Sequence, residues 1–246
     1  RWIMRAALVR VALNLPDHAR YGIRDASQLG RRTIARLLRL GAPMALTMGI
    51  EAAHMTALTS FAGWLGETSM AAWQACINVI SFAFMLAVGM STATAVRVAN
   101  AVGRSDRAGV ALAGWLGTGL IAAIMLAGGA ALALFGPAVA ALYSDAAPVR
   151  TLAAAGMAWA AVVLLFDAAQ AVLMGAHRGA GDVRRPVALQ ALAFWGVGVP
   201  TAYALGIAGD WGLTGVLAGL LAGMVASSSM LAARFAVISR RDLRPL

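Results

Sequence analysis

The amino-acid sequence predicts an all-α polytopic membrane protein, a bundle of six transmembrane helices. Composition is the first reason: 61% of the 246 residues are hydrophobic and 12% are charged, with a mean hydropathy of +0.78. Soluble domains average about 45–50% apolar and about 25% charged residues. The second is length, since six long apolar runs lie between breaker clusters and about 20 residues carry a helix across a bilayer. The third is that no stretch shows the two-residue alternation of a membrane β-barrel strand.

Residues 1–39 read as a cytoplasmic linker and interfacial helix. The opening Arg1-Trp2-Ile3-Met4-Arg5 has no initiator Met and no signal-peptide layout, and it reads as the tail of an earlier span. Asn14, Pro16, Asp17, Tyr21 and Gly22 give a polar linker. Within 30–40, Arg31, Arg32, Arg36 and Arg39 alternate with Ile34, Leu37, Leu38 and Leu40, the pattern of a short helix lying at a membrane surface. The six-span lobe covers 40–237, with spans expected at 40–62, 69–96, 109–135, 149–174, 187–208 and 213–237, and a basic cytoplasmic tail follows over 238–246.

The charge distribution supports these boundaries. All 20 basic residues are Arg, and the net charge is +10. Nine Arg precede the first span, three follow the second, three follow the fourth and four close the sixth; Arg150 alone falls on the other side. The positive-inside rule then places both termini of this segment in the cytoplasm. A pI near 11.5 would suggest nucleic acid for a soluble chain. Here topology accounts for it, with anionic headgroups of the lipid bilayer as a further partner and no nucleic acid expected. Cys76 is the only cysteine, which excludes a disulfide framework and a thiolate metal site.

Two packing features stand out. Gly215, Gly219, Gly223 and Ser227 recur every four residues in the sixth span and form a small-residue face that lets another helix come close. In the fifth, Pro200 removes a backbone donor, so a kink or hinge is expected there.

The spans also hold polar groups. Glu51 is near the middle of the first and Asp167 on the cytoplasmic half of the fourth. A charge at mid-bilayer costs roughly 2.5–3.5 kcal/mol on insertion scales, so such groups mark an ion or substrate path. Thr47 and His54 share the Glu51 face, Gln170 follows Asp167 by one turn, and Gln74 and Asn78 are four apart in the second span. These five are candidate cavity-lining residues; the competing reading makes them interhelical ties, and His54 a packed neutral ring. A carboxylate poised between burial and nearby donors can exchange a proton or Na⁺ for an organic cation, the minimal chemistry of an antiporter. This is transport chemistry, and no enzymatic activity is expected.

The chain resembles the carboxy-terminal, six-span lobe of a multidrug and toxic compound extrusion (MATE) transporter. The match rests on Glu51, on Ala71-Ala72-Trp73-Gln74 with Asn78, and on the run from Arg97 through Asn100 and Gly103 to Asp106. It continues in Asp167-Ala168-Ala169-Gln170, in Gly175 through Arg178 to Asp182, and in Gly198-Val199-Pro200-Thr201. The resemblance implies one lobe of a twelve-helix export antiporter in a bacterial inner membrane, exchanging cationic drugs for H⁺ or Na⁺. No cofactor is implied beyond that coupling ion, which Glu51 and Asp167 would bind. Na⁺-coupled members often carry Tyr one turn before the Asp, where this chain has Val163, so both ions stay open. An amino-terminal six-span lobe is the implied partner, because six helices on one side cannot enclose an alternately opening cavity.

Three other readings are weaker. A flippase for lipid-linked oligosaccharides would favour cationic residues in its spans. An inactive fragment would retain the fold without transport. An intramembrane aspartyl protease would use the Gly179-Ala180-Gly181-Asp182 string with Asp167, but Asp182 sits among Arg178, Arg184 and Arg185 in a loop.

Overall fold

A computed structural model of the chain describes residues 2–14 and 30–240. Most of the expected polar linker and of the basic tail lies outside the described residues. The helices are α1 (Trp2–Leu13), α2 (Arg31–Trp64), α3 (Glu67–Gly103), α4 (Arg107–Ala141), α5 (Ala147–Gly179), α6 (Arg184–Ala191), α7 (Val199–Tyr203) and α8 (Gly212–Ile238). Two π-helical segments, Leu192–Gly198 and Ala204–Ala208, flank α7, so that Arg184–Ala208 is one membrane-length helix. The protein is an all-α polytopic membrane protein: among the described residues five helices are long and apolar enough to cross a bilayer. The chain divides into two compact units, Arg1–Ala42 and Pro43–Leu246, and the helical bundle lies in the second.

The long helix α2 is not among those five. Glu51, His54 and several hydroxyl residues dilute its apolar content. Those hydroxyls are satisfied inside the helix, for Thr47, Thr56 and Ser60 donate to carbonyls one turn back at 2.8–3.0 Å. The short surface helix expected over 30–40 is not a separate element, because α2 begins at Arg31 and runs on through Pro43.

Helices extend past the apolar windows wherever no cap intervenes. The second span was expected to end at 96, yet α3 continues to Gly103. It stops where Ser105 takes a positive φ of 55° and the Asp106 side chain accepts from the Gly109 N–H at 2.8 Å, capping α4.

At the centre stands α5, packed on α3, α4 and α8. Small residues allow it. A Cβ added at Gly129 would lie 2.6 Å from the Ala161 carbonyl, and one at Gly175 would lie 2.5 Å from Ser91 Oγ. Cys76 is buried in the same core against α5, its thiol 3.9 Å from the Ala153 carbonyl. The α8 face built of Gly215, Gly219 and Gly223 meets the preceding span along a matching row. Gly215 abuts Gly206, Gly219 abuts Ala202, and a Cβ at Gly223 would lie 3.2 Å from the Gly198 Cα. Lipid gives no hydrophobic drive between helices, so this close approach supplies the van der Waals contact that holds them.

Pro200 lies in the second position of α7, between the two wide-turn segments. Its missing N–H deprives the carbonyl one turn back of a partner, and widened turns redistribute the hydrogen bonds around it.

Candidate functional site

A cavity of about 460 Å³ opens within the bundle, walled by α2, α3, α5, α6 and the loop joining α5 to α6. Its polar lining brings together Thr47 and Glu51 from α2, Ser91 and Thr92 from α3, Gln170 and Arg178 from α5, Asp182 from the loop and Gln190 from α6. Between them lie Met44, Met48, Met55, Met174, Phe84 and Val88. Glu51 is half-buried. Asp167, one turn before Gln170 on α5, is 4% exposed and lies outside the lining, yet within electrostatic range of Glu51. Arg178 also acts on Glu51 through its charge. The site thus holds Glu51 and Asp167 in mutual electrostatic range, with Asp182, the Arg178 guanidinium, amides and hydroxyls in the same wall as Glu51.

The structure gathers only part of the residue set expected from the sequence. Glu51, Thr47 and Gln170 meet in the cavity wall, with Asp167 near Glu51. His54 does not line it. The ring is fully buried and stacked on Phe194 at 4.4 Å between centroids and 12° between planes, and neither ring nitrogen has a hydrogen-bond partner. Helical spacing put His54 on the Glu51 face, but one turn further along that face meets the π-helical segment instead of open space. Gln74 and Asn78 are also outside the cavity. Both are exposed, because α3 turns Trp73, Cys76 and Ile80 to the core and carries the two amides on its other side.

Five polar residues of the lining were not among the site candidates read from the sequence: Ser91, Thr92, Arg178, Asp182 and Gln190. A lone amide in the apolar run Val187-Ala188-Leu189-Gln190-Ala191-Leu192 was the available signal for the last. Ser91 is small and gave none. In the fold it accepts from Arg178 at 3.0 Å and donates to the Ala171 carbonyl at 2.7 Å, tying α3 to α5 beside the cavity.

Asp182 closes the loop end. Arg234 of α8 grips its carboxylate with both fork nitrogens, at 2.9 and 3.2 Å, and His177 Nδ1 lies 3.3 Å from the same group. The other ring nitrogen, Nε2, lies 3.1 Å from the Leu231 carbonyl, which can only accept, so Nε2 donates. Burial alone would push the Asp182 pKa up, but the neighbouring His177 and the bidentate Arg234 outweigh it and hold the group at about 2. A carboxylate so engaged cannot serve as the second acid of a protease, and the Gly-x-Gly-Asp string is a structural loop.

Fold and site together define a polytopic helical membrane protein with an acid-bearing cavity inside its bundle. The MatE family profile matches residues 43–204, and the chain belongs to that family. It is 36% identical over 210 residues to the probable multidrug resistance protein NorM of Xanthomonas axonopodis pv. citri (strain 306), covering 85% of this chain and 46% of that protein. With the multidrug resistance protein NorM of Burkholderia vietnamiensis it shares 36% identity over 207 residues, 82% of this chain and 45% of the relative. Among solved structures, the eukaryotic MATE transporter AtDTX14 superposes with a TM-score of 0.78 at 19% identity, covering 85% of this chain and 48% of that one. The chain spans about half the length of the curated relatives it matches.

Proposed function

We propose that this chain forms one six-span lobe of a multidrug-efflux antiporter of a bacterial cytoplasmic membrane, exporting lipophilic cations in exchange for H⁺ or Na⁺. The observation that carries the reading is Glu51 in the wall of a bundle cavity, with Asp167 buried within electrostatic range of it. Two carboxyls within electrostatic range can share a cation, because ionising both without a counter-charge is unfavourable. Binding a coupling ion there and releasing it on the opposite face is the exchange an antiporter needs.

The methionine-rich remainder of the wall is deformable and apolar, which suits cargo of varied shape. The relatives named for multidrug resistance support that cargo class. A second six-span lobe completes the transporter, and the exposed α3 face carrying Gln74 and Asn78 is free to line a cavity shared with it.

The test is efflux of a lipophilic cationic dye from cells expressing the lobe with its complementing half. Glu51→Gln and Asp167→Asn, at equal expression, should each lower the efflux rate at least tenfold. Parent-like efflux from both variants would remove the acids from the mechanism.

A further inference from the structure

Gln190 is fully buried in α6, and neither its Nε2 nor its Oε1 has a hydrogen-bond partner. The side chain reaches the cavity wall beside the Glu51 carboxyl but falls short of hydrogen-bond geometry with it. A buried amide with both ends unsatisfied is disfavoured relative to an apolar side chain of the same shape, and native proteins rarely keep one without a partner in some state. It stands in the last turn of α6, two residues before the π-helical segment that starts at Leu192, and such wide turns are frequent at functional sites.

The missing partner can be identified by chemistry. A proton needs only the carboxyl it bonds to. A desolvated alkali cation needs several oxygens, and a shell made only of carboxylates would overload it with negative charge. A neutral amide oxygen beside a carboxylate suits a sodium-sized cation, with hydroxyl, carbonyl or water oxygens completing the shell. We propose that Gln190 is a direct ligand of a sodium ion held at Glu51, its Oε1 supplying a neutral oxygen of the shell. This rests on the reading of Glu51 as the coupling site and chooses sodium as the ion.

The test is the thermal unfolding midpoint of the purified protein, titrated with NaCl against choline chloride at constant ionic strength and pH. The parent midpoint should rise with Na⁺ to a plateau. Gln190→Met keeps the shape and removes the unsatisfied atoms. It should raise the midpoint in Na⁺-free buffer while moving the half-maximal Na⁺ concentration up at least tenfold. Should Gln190→Met fold poorly, Gln190→Asn, which draws the oxygen back by one methylene, should weaken the Na⁺ response by a smaller factor. A purely structural amide would do the reverse, with a lower Na⁺-free midpoint and an unchanged Na⁺ dependence, and that result overturns the proposal. A parent with no Na⁺ response overturns it too, while leaving proton exchange at Glu51 standing. A full Na⁺ response in Glu51→Gln would instead sink the Glu51 reading itself.

Discussion

Gly219→Ala is the most direct perturbation of the seam between α8 and the preceding span. A Cβ there would fall against the N, Cα and Cβ of Ala202 at once, all backbone or backbone-attached atoms that no rotamer change can move. Overpacking of this kind costs about 1–3 kcal/mol, and the better helix propensity of Ala returns about 1 kcal/mol or less. The expected net loss is about 1 kcal/mol or somewhat more, lowering the unfolding midpoint by roughly 2–6 °C for a chain of this size. Gly223→Ala is the internal control. Its Cβ would lie 3.2 Å from the Gly198 Cα, a contact that relaxes within a few tenths of an ångström, so it should stay within about 0.5 kcal/mol of the parent. Thermal unfolding in detergent, followed by fluorescence-detected gel filtration, reads both. The packing argument is refuted if Gly219→Ala melts at or above the parent, or if Gly223→Ala is the more damaging change.

Further outcomes follow from the same contacts. Asp182 has a folded pKa of about 2, below its ordinary value of 3.8, so its ion pair contributes fully above about pH 4 and is lost as pH falls toward 2. The parent midpoint should therefore drop across that window while Asp182→Asn, less stable by about 1–2 kcal/mol at neutral pH, shows a flatter profile there. Trp73 is fully buried and donates its indole N–H to Thr59 Oγ1 at 3.0 Å. Thr59→Val strands that donor and should cost about 1–3 kcal/mol in chemical or thermal unfolding, and Trp73→Phe made on top should recover part of it. Cys76, buried against α5, should resist maleimide labelling in the folded protein and react only on unfolding, as mass spectrometry would show.

The helices were legible because bilayer and core demand the same thing of them, long runs without charge. Hydropathy reads where the apolar stretch ends; hydrogen bonding decides where the helix ends. That is why α3 outlasts its window by reaching Gly103, and why the expected surface helix merges into α2. For the site, spacing identified which residues share a helix face and could not tell what that face meets. Thr47, Glu51 and His54 lie on one stripe, yet the first two look into the cavity and the third into Phe194. Gln74 and Asn78 were read inward from polarity alone, while the bulk of Trp73 decided which side of α3 the core would take.

Charge and shape act at different depths of this bundle, and the separation has a mechanical consequence. At the loop end Asp182, Arg234 and His177 clamp α5 to α8, and Arg178 with Ser91 ties α5 to α3. Toward the other end, α8 meets its neighbour through Gly and Ala backbones, and among the described residues no side-chain hydrogen bond or ion pair ties them there, alongside two π-helical segments around Pro200. Backbone-on-backbone contacts slide at little cost where ion pairs resist, and wide turns give a helix room to bend. Glu51 and Gln190 are placed between a pinned end and a compliant one. On the proposed function, a change of ligand at that level would act on the segment through Pro200 while the ion-paired end holds its place.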